Sequence, residues 1–207
     1  SIVDVKRVSE RMMVVKVAVG KTVLNVVSVY APQVGRPMVE KEEFYMRLDG
    51  VISGMQDEKL VLCGDFNGHV GEKVEGFEGV HGGRGFGTRN EEGEMLLEFA
   101  DSQDMMVANT WFDKEESKKI TFESGGCKTV VDYILVRRAD RASVMDVRVI
   151  GSESCILQHK FMVCRMRLWE QVQKQKMIFT SKCRLWKFRE AKMQERFREV
   201  VQDRNAS

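Results

Sequence analysis

The sequence predicts a layered α/β or α+β sandwich, and three observations support this fold class. Residues 2–30 are rich in valine and divide into strand-like segments separated by turn residues. Apolar residues recur at helical spacing near residues 39–55 and 91–100, so helices lie between strands along the chain. Strand patterns also outnumber helical patterns. A chain with this order of elements buries its sheets against helices in layers.

The first part of the chain predicts three strands and one helix. The strands are expected at residues 2–5, 12–19 and 22–30, with a hairpin turn between the last two. The third strand ends at Ala31-Pro32-Gln33, because proline cannot donate to a strand ladder. The helix over residues 39–55 carries its apolar side chains on one face, which predicts that it packs on the sheet.

The stretch that follows, Val61 to Val70, is the strongest candidate for a functional site. A short apolar strand ends here and is followed by Asp65 and Asn67, with Gly64 and Gly68 beside them. Side chains two residues apart on an extended segment point the same way. A carboxylate can steer a water or bind a cation, and an amide can donate to an oxyanion, so the pair suits phosphate-ester chemistry. The alternative is a turn in which both residues cap the backbone.

The second half predicts a long loop, a helix and several strands. The loop over residues 68–90 is rich in glycine, and loops of this length are often functional. Asn90 and the glutamates after it predict the start of a helix. Further strands are expected at residues 105–108, 120–122, 129–136, 144–150 and 161–168.

Composition excludes several classes of protein. The chain is 43% hydrophobic and 31% charged, with a net charge of +2, which is typical of a globular protein and neither requires nor excludes nucleic acid. No apolar run reaches the roughly 18 residues needed to span a bilayer. The 5 cysteines are widely spaced and form no CxxC pair, which disfavours a disulfide framework or a zinc site. We therefore expect a reducing, intracellular compartment.

Two regions are expected. Residues 1–168 carry the strand and helix patterns of one domain, and residues 169–207 indicate a basic linker with a short amphipathic helix. A solvated terminal helix is the alternative for the second region. Because the chain opens at Ser1 directly in strand-like sequence, we expect a fragment or a processed start.

Several other residues are candidates for chemistry. Tyr30 ends the third strand, where its hydroxyl can reach the sheet edge, although core packing is the alternative. Asp132 interrupts an apolar strand and is costly to bury without a partner, so we expect His159 to meet it and to be oriented by it. Thr121 can contact phosphate or serve its turn. His69 and His81 are interpreted as loop residues.

Four motifs, taken in their order along the chain, resemble the endonuclease/exonuclease/phosphatase superfamily. They are Tyr30-Ala31-Pro32-Gln33, Gly64-Asp65-Phe66-Asn67, Val131-Asp132-Tyr133-Ile134-Leu135 and Gln158-His159. The run from Asn109-Thr110-Trp111-Phe112 to Asp132-Tyr133 is similar to the RTE-type endonucleases of non-LTR retrotransposons. The resemblance covers residues 1–168.

The resemblance implies a four-layer αββα sandwich of two mainly antiparallel sheets, with Mg2+- or Mn2+-dependent hydrolysis of DNA in the nucleus. Asp65 would orient or deprotonate water, Asn67 would bind the phosphoryl oxygen, and His159, oriented by Asp132, would stabilise the transition state. Tyr30 would contact the scissile phosphate. Asp65 and Gln158 would be weak metal ligands, and Gln33, Asn67 and Thr121 would bind substrate.

Two departures from the family pattern affect the expected activity. The family's early Asn and its metal-binding Glu precede the region that matches this chain, and Gln158 stands where the family has Asp. Loss of such groups lowers metal affinity, by about 10- to 100-fold even for outer-shell residues, and missing strands expose a sheet edge. A DNA endonuclease, a catalytically silent scaffold and a small-molecule phosphatase of the same fold all stay open.

Overall fold

The computed structural model describes residues 1–55, 58–156 and 158–168. Within these ranges it has ten strands in two sheets, two α-helices and short 3-10 turns. The helices are α1 (Met38–Ser53) and α2 (Glu91–Ser102). The strands are β1 (Ile2–Ser9), β2 (Met12–Val19), β3 (Thr22–Tyr30), β4 (Lys59–Asp65), β5 (Met105–Val107), β6 (Phe122–Ser124), β7 (Cys127–Thr129), β8 (Asp132–Arg137), β9 (Val144–Ile156) and β10 (His159–Met166).

The larger sheet has six strands in the order β1-β2-β3-β4-β8-β5. Only β3 and β4 pair in parallel, and α1 provides the crossover that a parallel connection needs. The other neighbours are antiparallel. β1 is an edge strand that exposes Ile2, Val3 and Val5.

The smaller sheet has four strands in the order β7-β6-β10-β9. Its long pair is β9 with β10, whereas β10 pairs with β6 where His159 lies opposite Phe122. Backbone hydrogen bonds from Glu123 to Gln158 and from Lys160 to Thr121 also hold the start of β10 next to the β6–β7 hairpin.

The core has two parts, one on each face of the larger sheet. Both helices pack on one face, where Leu48 and Leu96 belong to the same buried cluster as Leu62 of β4. The second cluster lies between the two sheets and includes Ile134 and Val147. Two packed, mainly antiparallel sheets with helices were predicted, and the structure confirms them. Of the four expected layers, the described residues contain one helical layer and both sheets.

Several strand boundaries differ from the prediction: β6 lies at Phe122–Ser124 and not at 120–122, β9 continues to Ile156, and β10 runs from His159 to Met166. Two further differences have a clear cause. β1 continues to Ser9, because it pairs with β2 along most of its length. The strand expected over residues 129–136 is divided into β7 and β8, because Val131 and Asp132 direct their backbone N–H groups to the Thr121 hydroxyl instead of to a strand ladder. The basic region predicted at residues 169–207 lies outside the described residues. Neither described helix is long and apolar enough to cross a bilayer.

Candidate active site

The strand register brings three of the predicted residues to one edge of the larger sheet. Tyr30 at the end of β3 lies opposite Asp65 at the end of β4, and Asp65 lies opposite Asp132 at the start of β8. Directly opposed residues share a face of a sheet. Tyr30, Asp65 and Asp132 therefore form a row, although they are far apart in the sequence.

His159 reaches this row from the other sheet. Its Nδ1 lies 3.0 Å from Oδ2 of Asp132, and its Nε2 lies 3.9 Å from Oδ2 of Asp65. An ionised carboxylate only accepts hydrogen bonds, so Nδ1–H donates to Asp132 and fixes the orientation of the ring. The separation from Asp65 is too long for a hydrogen bond. The expected contact between Asp132 and His159 is thus present, and Nε2 faces the gap beside Asp65.

Burial raises the pKa of the Asp65 carboxyl from its ordinary value to about 6, and the nearby charge of Asp132 adds to the effect. A hydrogen bond from the backbone N–H of Asn67 and the proximity of His159 act in the opposite direction. Asp65 is therefore a carboxylate held in an environment that disfavours its negative charge. Such a group can accept a proton from water or gain from a nearby cation.

Asn67 is held in a fixed position by its neighbours. Its φ of 50° lies in the left-handed region, which asparagine tolerates better than most residues. Its backbone N–H donates to Asp65 Oδ1 at 2.8 Å, and its side-chain amide donates to the carbonyl of Ala31 at 2.8 Å. The amide nitrogen carries a second hydrogen that can donate to a substrate oxygen.

The glycines beside Asp65 pack against protein backbone. A Cβ on Gly64 would lie 1.9 Å from the carbonyl oxygen of Val29, and its φ is 145°. A Cβ on Gly68 would lie 2.7 Å from the backbone of Glu92 at the start of α2. Both glycines therefore allow the candidate loop to sit tightly between β3 and α2.

Tyr30 and Gln33 lie on the surface beside this row. The Tyr30 side chain is 43% exposed, so core packing does not account for it. Its hydroxyl accepts a hydrogen bond from Nε2 of Gln33 at 3.3 Å, and Arg11 lies over its ring at 5.4 Å. Both residues are accessible to a substrate that approaches the edge.

Thr121 and Gln158 occupy different environments. Thr121 is fully buried, and its hydroxyl accepts hydrogen bonds from the backbone N–H groups of Val131 and Asp132. It therefore positions Asp132 from beneath, which corrects its assignment as a substrate contact. Gln158 is exposed and donates to the hydroxyl of Ser124 at 2.8 Å, at the rim of the β6–β7 hairpin.

Sequence reasoning gave no role to Asn109 and treated Asn90 only as a helix start. Asn109 donates to the carbonyl of Asp132 at 3.1 Å and accepts from the N–H of Ile134 at 2.9 Å, so it braces the start of β8. Asn90 caps α2 by accepting from Gly93 and also accepts from the N–H of His69. For Asn109, an asparagine at the end of the apolar segment 105–108 was the available signal.

The other two histidines hold loops, as their interpretation as loop residues requires. His69 contacts the Thr129 hydroxyl at 2.9 Å through Nδ1. Buried His81 donates from Nε2 to the carbonyl of Gly71 and accepts from the N–H of Gly83 at Nδ1, and burial lowers its pKa. Cys63, Cys127 and Cys164 are free thiols.

Among the described residues, no group of three or more His, Cys, Asp or Glu side chains is arranged to hold a metal ion. The nearby carboxylates of Asp65 and Asp132 still favour a cation, because the pKa of Asp65 is raised partly by the charge of Asp132. Mg2+ is commonly held by one or two carboxylates together with waters and substrate phosphates. The site therefore fits a weakly held hard cation whose binding is completed by a substrate.

Two packed sheets with an acid, an amide and an Asp–His pair at one edge define an endonuclease/exonuclease/phosphatase-type fold. Three solved structures share it at low sequence identity. A 3' phosphatase, NExo from Neisseria bound to a product DNA hairpin, matches with a TM-score of 0.59 and 19% identity over 81% of this chain and 72% of its own. The 3'-5' exonuclease NExo of Neisseria meningitidis matches with a TM-score of 0.56 and 20% sequence identity, over 76% of this chain and 65% of its own. The endonuclease domain of TRAS1, a telomere-specific non-LTR retrotransposon, matches with a TM-score of 0.52 and 16% sequence identity, over 77% of this chain and 65% of its own.

Among curated proteins, the chain is similar to craniofacial development protein 2. It is 30% identical to the Bos taurus protein and 29% identical to the Tragulus javanicus protein, over 148 residues that make up 70% of this chain. The chain spans about a quarter of the length of these relatives, since the match covers 25% of each. No family model matches the sequence.

Proposed function

We propose that this chain carries a metal-dependent phosphodiesterase site that acts on DNA as an endonuclease of retrotransposon origin. The observation that supports this most strongly is the convergence of Asp65, Asp132 and His159 from three strands of two sheets, with 3.0 Å and 3.9 Å separations at the histidine. The fold shared with DNA-processing enzymes and with a retrotransposon endonuclease domain adds support.

In this proposal each residue has one role. The Asp65 carboxylate orients the attacking water and accepts its proton, which its raised pKa favours. Asn67 donates its remaining amide hydrogen to a non-bridging phosphoryl oxygen. When His159 carries a proton on Nε2 as well as on Nδ1, Nε2 donates to the phosphate or the leaving oxygen, and Asp132 keeps Nδ1–H in place.

Substrate contacts outside the reacting atoms come from the exposed rim. Tyr30 and Gln33 contact the DNA backbone from the larger sheet, and Gln158 does so from the smaller one. A bound Mg2+ or Mn2+, held by Asp65 with a weaker contribution from Gln158, would neutralise charge on the phosphate. In this proposal Thr121 positions Asp132 through its hydrogen bond to the backbone of that residue.

The decisive experiment is nicking of supercoiled plasmid in Mg2+ or Mn2+ by this chain and by Asp65→Ala, Asp132→Asn and His159→Gln. We expect nicking that each substitution lowers by roughly 10²-fold or more, because loss of a positioned acid or base has about that effect. Glu115→Gln, at a side chain that is 75% exposed, is the matched control and should leave the rate unchanged. A rate that survives Asp65→Ala would contradict the proposal.

A catalytically silent scaffold is the second candidate, and the absence of a three-ligand metal group among the described residues favours it. A scaffold should show no nicking, yet it should bind its partner equally well with and without Asp65→Ala.

The salt dependence of DNA binding distinguishes an endonuclease from a small-molecule phosphatase. DNA binding through backbone contacts weakens steeply with salt, whereas a phosphatase should hydrolyse a small phosphoester and show no such binding.

A further inference from the structure

The imidazole of His159 has a neighbour to which the proposed reaction gives no role. The ring of Phe122 in β6 lies with its centroid 4.9 Å from the centroid of the imidazole, and the two ring planes are inclined by 67°. Aromatic rings attract one another in this edge-to-face arrangement at centroid separations of about 4.5–7 Å. The contact therefore holds His159 in addition to the hydrogen bond from its Nδ1 to Asp132.

The backbone fixes the place of this contact. His159 lies directly opposite Phe122 where β10 pairs with β6. The backbone N–H groups of Lys160 and Glu123, the residues that follow the two members of the pair, donate across to carbonyls of the facing segment at 2.8 Å and 2.9 Å. His159 and Phe122 are thus a non-hydrogen-bonded pair, the kind in which opposed side chains lie closest together.

Phe122 and the residue before it contact both members of the Asp–His pair. The hydroxyl of Thr121 accepts from the N–H of Asp132 at 3.2 Å, and the Asp132 carboxylate lies 3.0 Å from Nδ1 of His159. That one hydrogen bond determines which nitrogen faces Asp132, but it leaves the imidazole free to tilt about the line between the two atoms. Contact with a second ring restricts the tilt, and with it the direction in which Nε2 points.

We propose that Phe122 is a positioning residue that holds the imidazole of His159 with Nε2 directed at the gap beside Asp65. The effect on rate rests on the proposed function, whereas the restriction of the ring rests on the geometry of the contact. In this role Phe122 exchanges no proton and touches none of the reacting atoms. Direct contact with substrate is the alternative role, because the Phe122 side chain is only half-buried.

The first test requires no activity. Relaxation of the imidazole ¹³C nuclei in the full chain gives an order parameter for the ring of His159. Phe122→Leu keeps an apolar side chain but removes the ring, and it should lower this order parameter, whereas Phe122→Tyr should keep the parent value. The imidazole of His81 is held by two hydrogen bonds in another loop and should be unchanged in both variants. An imidazole of His159 that is equally ordered in Phe122→Leu and in the parent chain would overturn the proposal.

The second test separates positioning from substrate contact. In plasmid nicking at varied DNA concentration, Phe122→Leu should lower kcat by roughly two- to tenfold, the effect of losing one edge-to-face contact, and leave KM unchanged. Phe122→Tyr should restore kcat. A raised KM with an unchanged kcat would assign Phe122 to substrate binding instead.

A double variant tests whether Phe122 acts through His159. If it does, adding Phe122→Leu to His159→Gln should lower the residual rate no further, because the group that it positions is already absent. An equal fold-loss in the parent and in His159→Gln would mean that Phe122 acts independently of His159, which contradicts the proposal.

Phe161→Leu is the matched control, since it removes an aromatic ring that is 45% exposed on the same strand as His159. It should change neither the order parameter of His159 nor kcat. Thermal melts verify that every variant is folded. A parent chain that nicks no DNA would contradict the proposed function, whereas the order parameters would still decide whether Phe122 holds the ring.

Discussion

The side chains of Asp65 and His159 approach to 3.9 Å although they belong to different sheets. Asp65 ends β4, in the middle of the larger sheet, and His159 begins β10 of the smaller one. The gap between Oδ2 and Nε2 is wider than a hydrogen bond and narrow enough for both groups to contact one substrate atom or one water. The site is therefore created by the packing of the two sheets.

Asp65 lowers the stability of the folded chain at neutral pH. Its pKa is raised to about 6 in the folded state, so the folded form binds this proton more tightly than the unfolded form. The resulting stabilisation is fully present below the ordinary pKa near 4 and is lost as the pH rises through about 6. We predict that Asp65→Asn raises the free energy of unfolding by about 3 kcal/mol at pH 7.5.

The measurement is urea denaturation of both proteins at pH 7.5 and pH 4, without added metal. The difference should be much smaller at pH 4, because Asp65 is protonated there in the folded state and about half protonated in the unfolded state. Asp113→Asn, at an exposed carboxylate, is the matched control and should show little change at either pH. A stability difference that is the same at both pH values would mean that burial of the Asp65 charge is not its cause.

Thr121 is predicted to contribute through its hydroxyl to folding and to the placement of Asp132. Thr121→Val keeps the shape but leaves the buried N–H groups of Val131 and Asp132 without their acceptor. We expect a loss of about 2–3 kcal/mol in the free energy of unfolding. Thr121→Ser keeps the hydroxyl and should lose less.

Chemical denaturation of the two variants provides the comparison. If Thr121 instead contacted substrate, as the sequence suggested, both variants would be nearly as stable as the parent chain and only substrate affinity would change.

The Asp132–His159 contact predicts a fixed tautomer. With Nδ1–H donating to Asp132, neutral His159 carries its proton on Nδ1 and presents an unprotonated Nε2 to Asp65. Long-range ¹H–¹⁵N correlation spectra at pH 8 should report this tautomer in the parent chain. In Asp132→Leu, which removes the acceptor, the Nδ1–H form should lose its preference. An Nε2–H tautomer in the parent chain would rule out the proposed orientation.

The sequence was informative where a residue's chemistry follows from its own neighbours. Asp65 and Asn67 could be predicted because a strand end followed by an acid and an amide is a local pattern. Asp132 and His159 could be paired because a carboxylate in an apolar strand needs a partner. The role of Thr121 could not be predicted, since its hydroxyl accepts from backbone N–H groups at the start of β8, ten and eleven residues further along the chain. The roles of Asn109 and Gly64 likewise depend on contacts between distant segments.

Gly64 provides the sharpest test of how tightly the candidate loop is held. A Cβ there would lie 1.9 Å from the carbonyl oxygen of Val29, and the φ of 145° is unfavourable for any L side chain. Gly64→Ala must therefore push β3 and β4 apart at the row that carries Tyr30 and Asp65. We predict a loss of about 4 kcal/mol or more, which is characteristic of strain combined with overpacking.

Gly50→Ala is the matched control, because Gly50 lies within α1 and a Cβ there meets nothing within 4 Å. Alanine is a better helix former than glycine by about 1 kcal/mol, so this variant should be more stable than the parent chain. Thermal melts of both variants distinguish the two effects, since one substitution should lower the midpoint and the other should raise it. A Gly64→Ala protein that melts with the parent chain would mean that β3 and β4 are not pressed together at Gly64, and the geometry that aligns Tyr30 with Asp65 would have to be revised.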